Sequence, residues 1–227
     1  CEICKFSLDI DAKSLLCENC FEKIKFNKLP FCKKCGKSIS GEKEFRDFCR
    51  DCRANSGFYF DRVYSACIYE GTIKQALHIF KYNGSVQLGK TLAGILLKFY
   101  LENLSEKRFD FLVPIPLYPA KEREREFNQA LILSESISKS CSTPIAKNAL
   151  IKIKRTPSQT TLSKEKRLLS QKGAFKVKKP IFADKKLLII DDIFTTGSTM
   201  NEAAFVLKNA GASEVCGLTL MRGIPEK

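Results

Sequence analysis

Four apolar residues in succession, Leu187-Leu188-Ile189-Ile190, run into the carboxylates Asp191 and Asp192. An unbroken apolar run of this length predicts a strand buried on both faces, as strands of parallel sheets are. Upstream, Ile73, Ala76, Leu77 and Phe80 recur at helical spacing, which predicts an amphipathic helix over Thr72–Tyr82 ending near Asn83-Gly84. The same patterning gives strands over Val63–Tyr69, Phe109–Ile115, Ala149–Ile153, Lys186–Ile190 and Val215–Met221. It gives further helices over Leu88–Asn103, Glu124–Ser138 and Ser198–Asn209, the last stopped by Ala210-Gly211-Ala212. Strands alternating with helices from Asp61 onward predict an α/β unit over residues 61–227 with a doubly wound, mostly parallel sheet. Residues 1–55 lack this pattern, and residues 53–60 read as the link between the two parts.

Composition explains the difference. Eight of the 11 cysteines fall in the first 52 residues, as the pairs Cys1/Cys4, Cys17/Cys20, Cys32/Cys35 and Cys49/Cys52. Two thiolates separated by two residues on a turn can share one tetrahedral metal, and two such pairs complete a Cys₄ zinc site. Sequential pairing gives one zinc on Cys1, Cys4, Cys17 and Cys20 and a second on Cys32, Cys35, Cys49 and Cys52, the pattern of a double zinc ribbon. A cross-braced pairing, first with third and second with fourth, is the alternative. No apolar signal segment precedes the cysteines, which favours zinc in a reducing compartment over a disulfide framework, although a chain that begins at Cys1 is expected to lack a few leading residues. Cys67, Cys141 and Cys216 have no partner in the sequence and read as small core or surface residues.

No apolar run approaches the ~18 residues a membrane span needs, so the chain is expected to be soluble or peripheral. Its formal charge of +14 is concentrated: residues 147–186 carry thirteen lysines and arginines against only Glu165 and Asp184. Such a stretch is an electrostatic track for phosphates. Residues 154–173 within it are polar, basic and short of large apolar side chains, and read as a mobile loop.

The most specific chemistry lies after the apolar run. Asp191 and Asp192 fall at the carboxyl end of the predicted strand, where open α/β sheets bind ligands. Thr195-Thr196-Gly197-Ser198-Thr199 then offers hydroxyls and backbone N–H groups around a glycine, just where a helix begins. A helix start of this kind favours phosphate, and paired carboxylates suit a vicinal diol or Mg²⁺. Diol, phosphate and metal together describe a ribose 5-phosphate. The segment resembles the 5-phosphoribosyl-1-pyrophosphate (PRPP) motif of type I phosphoribosyltransferases, in which the acidic pair holds the ribose hydroxyls and the loop holds the 5-phosphate.

A second motif competes. Gly84-Ser85-Val86-Gln87-Leu88-Gly89-Lys90-Thr91 fits the phosphate-binding loop of P-loop NTPases, a weaker alternative because that mechanism needs a strand feeding into Gly84 where the pattern predicts a helix.

Val113-Pro114-Ile115-Pro116-Leu117 with Arg123, Arg125 and Phe127-Asn128-Gln129-Ala130, the four cysteine pairs, and Arg155-Thr156 with Gln159, Leu162, Arg167 and Gly173-Ala174-Phe175 together resemble the ComF family. These competence-associated proteins join a double zinc ribbon to a phosphoribosyltransferase-like domain. Glu126 stands where the family usually has glycine, and Ser170 where asparagine is common. The resemblance implies two structural zinc ions, PRPP accompanied by Mg²⁺, and single-stranded DNA as a partner. It also implies other competence proteins as partners, and a cytoplasmic location that extends to the inner-membrane periphery, in natural transformation.

By position, Lys121, Arg123 and Arg125 are counterparts of a pyrophosphate-binding loop, although Glu122, Glu124 and Glu126 interleave with them. Arg155, Lys164, Lys166 and Arg167 of the basic loop are candidates to reach pyrophosphate on closure or to bind DNA. Two classes of function stay open. One is a phosphoribosyltransferase moving ribose 5-phosphate from PRPP to a base or amine; the other is a DNA-uptake protein that binds PRPP without turnover. The sequence names neither a nucleophile site nor a catalytic residue, and after Met221 too few residues follow to expect a base-binding hood. His78, the sole histidine, lies on the helix of residues 72–82 and reads as structural. Aromatic residues of the cysteine module, with Phe58-Tyr59-Phe60, are stacking candidates for bases or core for a small module.

Overall fold

The apolar run forms the centre of the molecule in a computed structural model that describes residues 1–9, 14–39, 47–54, 57–155 and 171–223. Six strands are described: β1 (Arg62–Ile68), β2 (Phe111–Pro114), β3 (Leu150–Lys152), β4 (Phe175–Val177), β5 (Lys186–Phe194) and β6 (Glu214–Arg222). Four of them make a parallel sheet in the order β1-β6-β5-β2, with Ile189 of β5 opposite Val113 on one side and Gly217 on the other. The helices are α1 (Glu18–Glu22), α2 (Arg50–Ala54), α3 (Gly71–Tyr82), α4 (Val86–Asn103), α5 (Pro119–Arg125), α6 (Gln129–Cys141) and α7 (Ser198–Asn209).

Alternation along β5 divides the core in two. Leu188 and Ile190 pack with Phe80 of α3, Leu92 of α4 and Leu133 of α6. Leu187 and Ile189 pack on the other face with Met200, Ala203 and Leu207 of α7. A strand covered on both faces has no polar positions to alternate, which is why its sequence is apolar without a break. Among the described residues no helix is long and apolar enough to cross a membrane.

The cysteine module covers the open edge of the sheet. Val63 and Ile68 of β1 donate backbone hydrogen bonds to the carbonyls of Lys34 and Lys25, both at 2.8 Å, and Asn27 donates to Ala66 at 2.9 Å. An unpaired edge strand invites foreign pairing, and here the chain's own N-terminal residues occupy it. Phe60, fully buried, meets Phe194 edge-on at 6.0 Å, so Phe58-Tyr59-Phe60 is packed against the α/β unit and not held out as a free linker.

Two expectations are corrected, and the weaker alternative is set aside. The helix expected over Glu124–Ser138 is two helices, because Glu126 turns left-handed at φ 63° and Asn128 starts α6 by accepting from the N–H groups of Ala130 and Leu131. The strand expected over Ala149–Ile153 is outside the parallel sheet; β3 pairs antiparallel with β4, which was not expected at all. The P-loop alternative fails on geometry: α3, not a strand, leads into Gly84, which turns at φ 68° before Ser85 caps α4. Thr91 Oγ1, which would face a metal in that reading, instead accepts from the Leu15 N–H at 3.1 Å.

Candidate functional site

The period of two that splits the core also splits the acid pair. β5 runs on past the expected Ile190 to Phe194, so the acids lie within it; Asp191 continues the series of Leu187 and Ile189 and Asp192 that of Leu188 and Ile190, so the two carboxyl groups leave the strand toward opposite faces. Asp192 is buried and forms an ion pair with Lys81 from the last turn of α3, Nζ to Oδ2 at 2.5 Å, with their side chains only 10% and 17% exposed. Asp191 accepts the Asp192 backbone N–H at Oδ1, 2.8 Å away. Burial first, and the Asp192 charge second, push the Asp191 carboxyl up to about 7, against the opposing pull of Lys81 and Lys152.

Beyond the acids the chain makes the turn that the sequence promised. Gly197 precedes α7 at φ 82°, and a Cβ there would lie 2.7 Å from the Phe194 ring, so both the conformation and the close approach call for glycine. Thr196 Oγ1 and Ser198 Oγ share a hydrogen bond at 2.8 Å. Asp191, Thr195, Gly197, Ser198 and Thr199 line one concavity at the start of α7, and the positive end of the helix dipole there favours an anion.

Of the three basic residues expected to hold pyrophosphate, the structure brings one to the acids. Lys121 of α5 is half-buried; burial lowers its pKa most, Arg125 and Lys81 add to the depression, and Glu124 and then Asp192 oppose it. Arg125 turns instead to Gln129 Oε1 at 3.0 Å and lies 5.3 Å from the Tyr82 ring centre, while Arg123 is exposed. Glu126, where a glycine was expected, takes the left-handed conformation that glycine tolerates best. Arg155 is exposed beyond the end of β3, and Lys164, Lys166 and Arg167 lie outside the described residues.

Two cations of the site were missed. Lys81 comes from α3 and Lys152 from β3, far from the motif in sequence and without a motif of their own. Lys81 ends an otherwise amphipathic helix, where a lysine is an ordinary C-terminal charge. Lys152 is half-buried, which lowers its pKa; Asp191 opposes the shift and Lys121 adds to it.

The cysteines gather in the sequential pairing. Cys1, Cys4, Cys17 and Cys20 form one cluster and Cys32, Cys35, Cys49 and Cys52 the other, with the sulfurs of each within 4.8 Å of one another. Cys4 and Cys17 Sγ are 3.6 Å apart, as are Cys35 and Cys49 Sγ. A tetrahedral zinc with Zn–S bonds of about 2.3 Å spaces its sulfurs about 3.8 Å apart, so the all-thiol donor sets fit that ion.

Comparison with known proteins agrees with this architecture. Residues 129–224 match the family described as Phosphoribosyl transferase domain, and the parallel sheet with helices on both faces belongs to that kind of fold. The chain is 30% identical to "Competence protein F" of Haemophilus influenzae over 95% of its own length and 93% of that protein's. It is 29% identical to "Competence protein ComFC" of Bacillus subtilis over 98% and 94% of the respective chains. "DNA utilization protein YhgH" of Escherichia coli is 28% identical over 69% of this chain and 70% of that protein.

Proposed function

The chain belongs to the ComF family of competence proteins, and from that premise we propose that it is a DNA-uptake protein that binds PRPP and handles incoming single-stranded DNA. In this proposal residues 1–55 are a double zinc ribbon and residues 61–227 the PRPP-binding domain. The observation that carries the ligand assignment is the juxtaposition of Asp191, with Asp192 next to it on the central parallel strand, and the loop that follows that strand. Asp191 and Asp192 accept the ribose hydroxyls. Gly197, Ser198 and Thr199, with Thr195 and Thr196, receive the 5-phosphate through backbone N–H groups and hydroxyls.

Mg²⁺ enters with the ligand in this proposal, screening the charge of its pyrophosphate oxygens. The acid pair is not built to hold the ion itself, since Asp192 is paired with Lys81 and burial favours the neutral form of Asp191. The basic residues of 147–186, with Arg155 exposed at their described edge, supply the track for DNA phosphates. The location that fits is the cytoplasm or the cytoplasmic surface of the inner membrane, beside other competence proteins.

One observation favours a second function, active transfer of ribose 5-phosphate to a base or amine. Asp191 lines the concavity beside the 195–199 loop, and burial with the Asp192 charge pushes its carboxyl up to about 7, the range of a general acid or base. Pyrophosphate release from PRPP, measured with a panel of bases and amines and with single-stranded DNA present, separates the two. Binding without release supports the uptake protein; release that depends on an acceptor establishes the transferase.

A further inference from the structure

Lysines from three separate elements act electrostatically on the two carboxylates, one of them in direct contact. Lys81 of α3 contacts Asp192, Lys152 of β3 lies in the field of Asp191, and Lys121 of α5 is close enough to repel both of the others. Lys152 is held in place, donating to Gln171 Oε1 at 3.4 Å with its Nζ 5.3 Å from the Phe175 ring centre.

The charges of this cluster do not balance. Structural ion-pair networks in partly buried sites match cation to anion, because an uncompensated buried charge is costly. Here Lys81, Lys121, Lys152 and Arg125 act among Asp191, Asp192 and Glu124, so the set has one cation more than it has acids. The 195–199 loop does not use that surplus, since its own N–H groups and hydroxyls provide for one phosphate. A bound polyanion between α3, α5 and β3 removes the mutual repulsion of the lysines.

We infer that Lys81 and Lys152 are anion-binding residues of the pocket: Lys81 exchanges Asp192, and Lys152 exchanges Gln171, for the pyrophosphate oxygens of PRPP as the ribose hydroxyls take the carboxylates. This rests on the PRPP reading above. In the free protein the Lys81 ammonium holds the Asp192 carboxyl group in a direct ion pair; in the complex Asp192 accepts the diol and the Lys81 ammonium moves to the ligand. No bond is made or broken beyond hydrogen bonds and ion pairs.

The exchange has a signature that a merely structural lysine lacks. Isothermal titration of the zinc-loaded full chain with PRPP, ribose 5-phosphate and inorganic pyrophosphate, each with Mg²⁺, reads it. Lys81→Met and Lys152→Met are each expected to weaken PRPP and pyrophosphate about tenfold or more, the size of one lost charged hydrogen bond, while ribose 5-phosphate changes within about twofold. Lys81→Arg, which keeps the charge and the fold, is expected to recover most of the PRPP affinity. Asp192→Asn frees Lys81, so pyrophosphate should bind more tightly while ribose 5-phosphate weakens. Equal losses for PRPP and ribose 5-phosphate in Lys81→Met would show that the lysine acts only through Asp192 and would overturn the exchange, as would unchanged PRPP affinity in Lys81→Met and Lys152→Met. If the wild-type chain binds neither sugar ligand, the PRPP reading fails; pyrophosphate binding that is lost in both lysine variants would still support the anion site.

Discussion

Arg222 donates from Nη1 to the backbone carbonyl of Cys35 at 2.6 Å, so the last residue of β6 is fastened to a cysteine of the second cluster. The same guanidinium lies 4.8 Å from the centre of the Phe194 ring, the ring against which Gly197 turns. A continuous set of contacts therefore runs from a zinc-type cluster to the floor of the 195–199 loop. The cysteine module both closes the edge at β1 and supports the ligand site from below.

Zinc should accordingly matter for ligand binding. The purified chain is expected to contain close to two zinc ions; a value near one would contradict the two-cluster assignment. Chelation, or Arg222→Leu, should lower both the melting temperature and PRPP affinity, the latter although neither change touches the ligand. Arg222→Leu leaves the buried Cys35 carbonyl unpaired, a cost of about 1–3 kcal/mol. Calorimetric melting and PRPP titration of the same samples check it.

Gly197→Ala should damage the loop more than the fold. The left-handed conformation costs a side-chain-bearing residue about 1–2 kcal/mol, and the added Cβ presses on the Phe194 ring. Ribose 5-phosphate and PRPP should weaken together in a titration, whereas pyrophosphate binding should change little.

Much of this site was legible because its chemistry is contiguous. Asp191 to Thr199 lies on one strand end and one helix start, and the cysteine pairs carry their own spacing. Lys81 and Lys152 were not legible, since only the parity of β5, carried through the sheet into three dimensions, matches Asp192 to α3 and Asp191 to β3. The break between α5 and α6 was hidden for a local reason. Glu124 to Ser138 keeps helical periodicity across Glu126 and Asn128, and the cap is visible only once Asn128 is seen accepting from Ala130 and Leu131 while donating to the Ile115 carbonyl. β4, at three residues, is too short for alternation to identify it, and the strand expected over Ala149–Ile153 carries no sign of its antiparallel partner.

Stability should depend on pH through Asp191. Its folded pKa, about 7, is above the ordinary 3.8, so the folded state binds the extra proton and stability falls as pH rises between those values. Asp191→Asn removes this loss. The variant should match the wild type near pH 4 and exceed it by on the order of 3 kcal/mol above pH 7, while binding PRPP more weakly. Urea denaturation across pH 4–8 measures the difference; a constant offset would contradict it.

Single-stranded DNA should bind through the basic stretch. Neutralising Lys164, Lys166 and Arg167 should reduce affinity and flatten its salt dependence, with each phosphate contact removed lowering the log–log slope by about 0.7. Fluorescence anisotropy on a labelled oligonucleotide over a salt series reads both quantities. An unchanged slope would remove these residues from the DNA path.

The most direct test is a calorimetric titration of PRPP into the zinc-loaded chain with Mg²⁺, wild type against the variant carrying both Asp191→Ala and Asp192→Ala. Saturable binding at one site per chain, lost in a double variant that keeps its two zinc ions and its cooperative melting, is the expected result. Equal binding by the two proteins, or none by the wild type, would contradict a ribose-phosphate site at the end of β5.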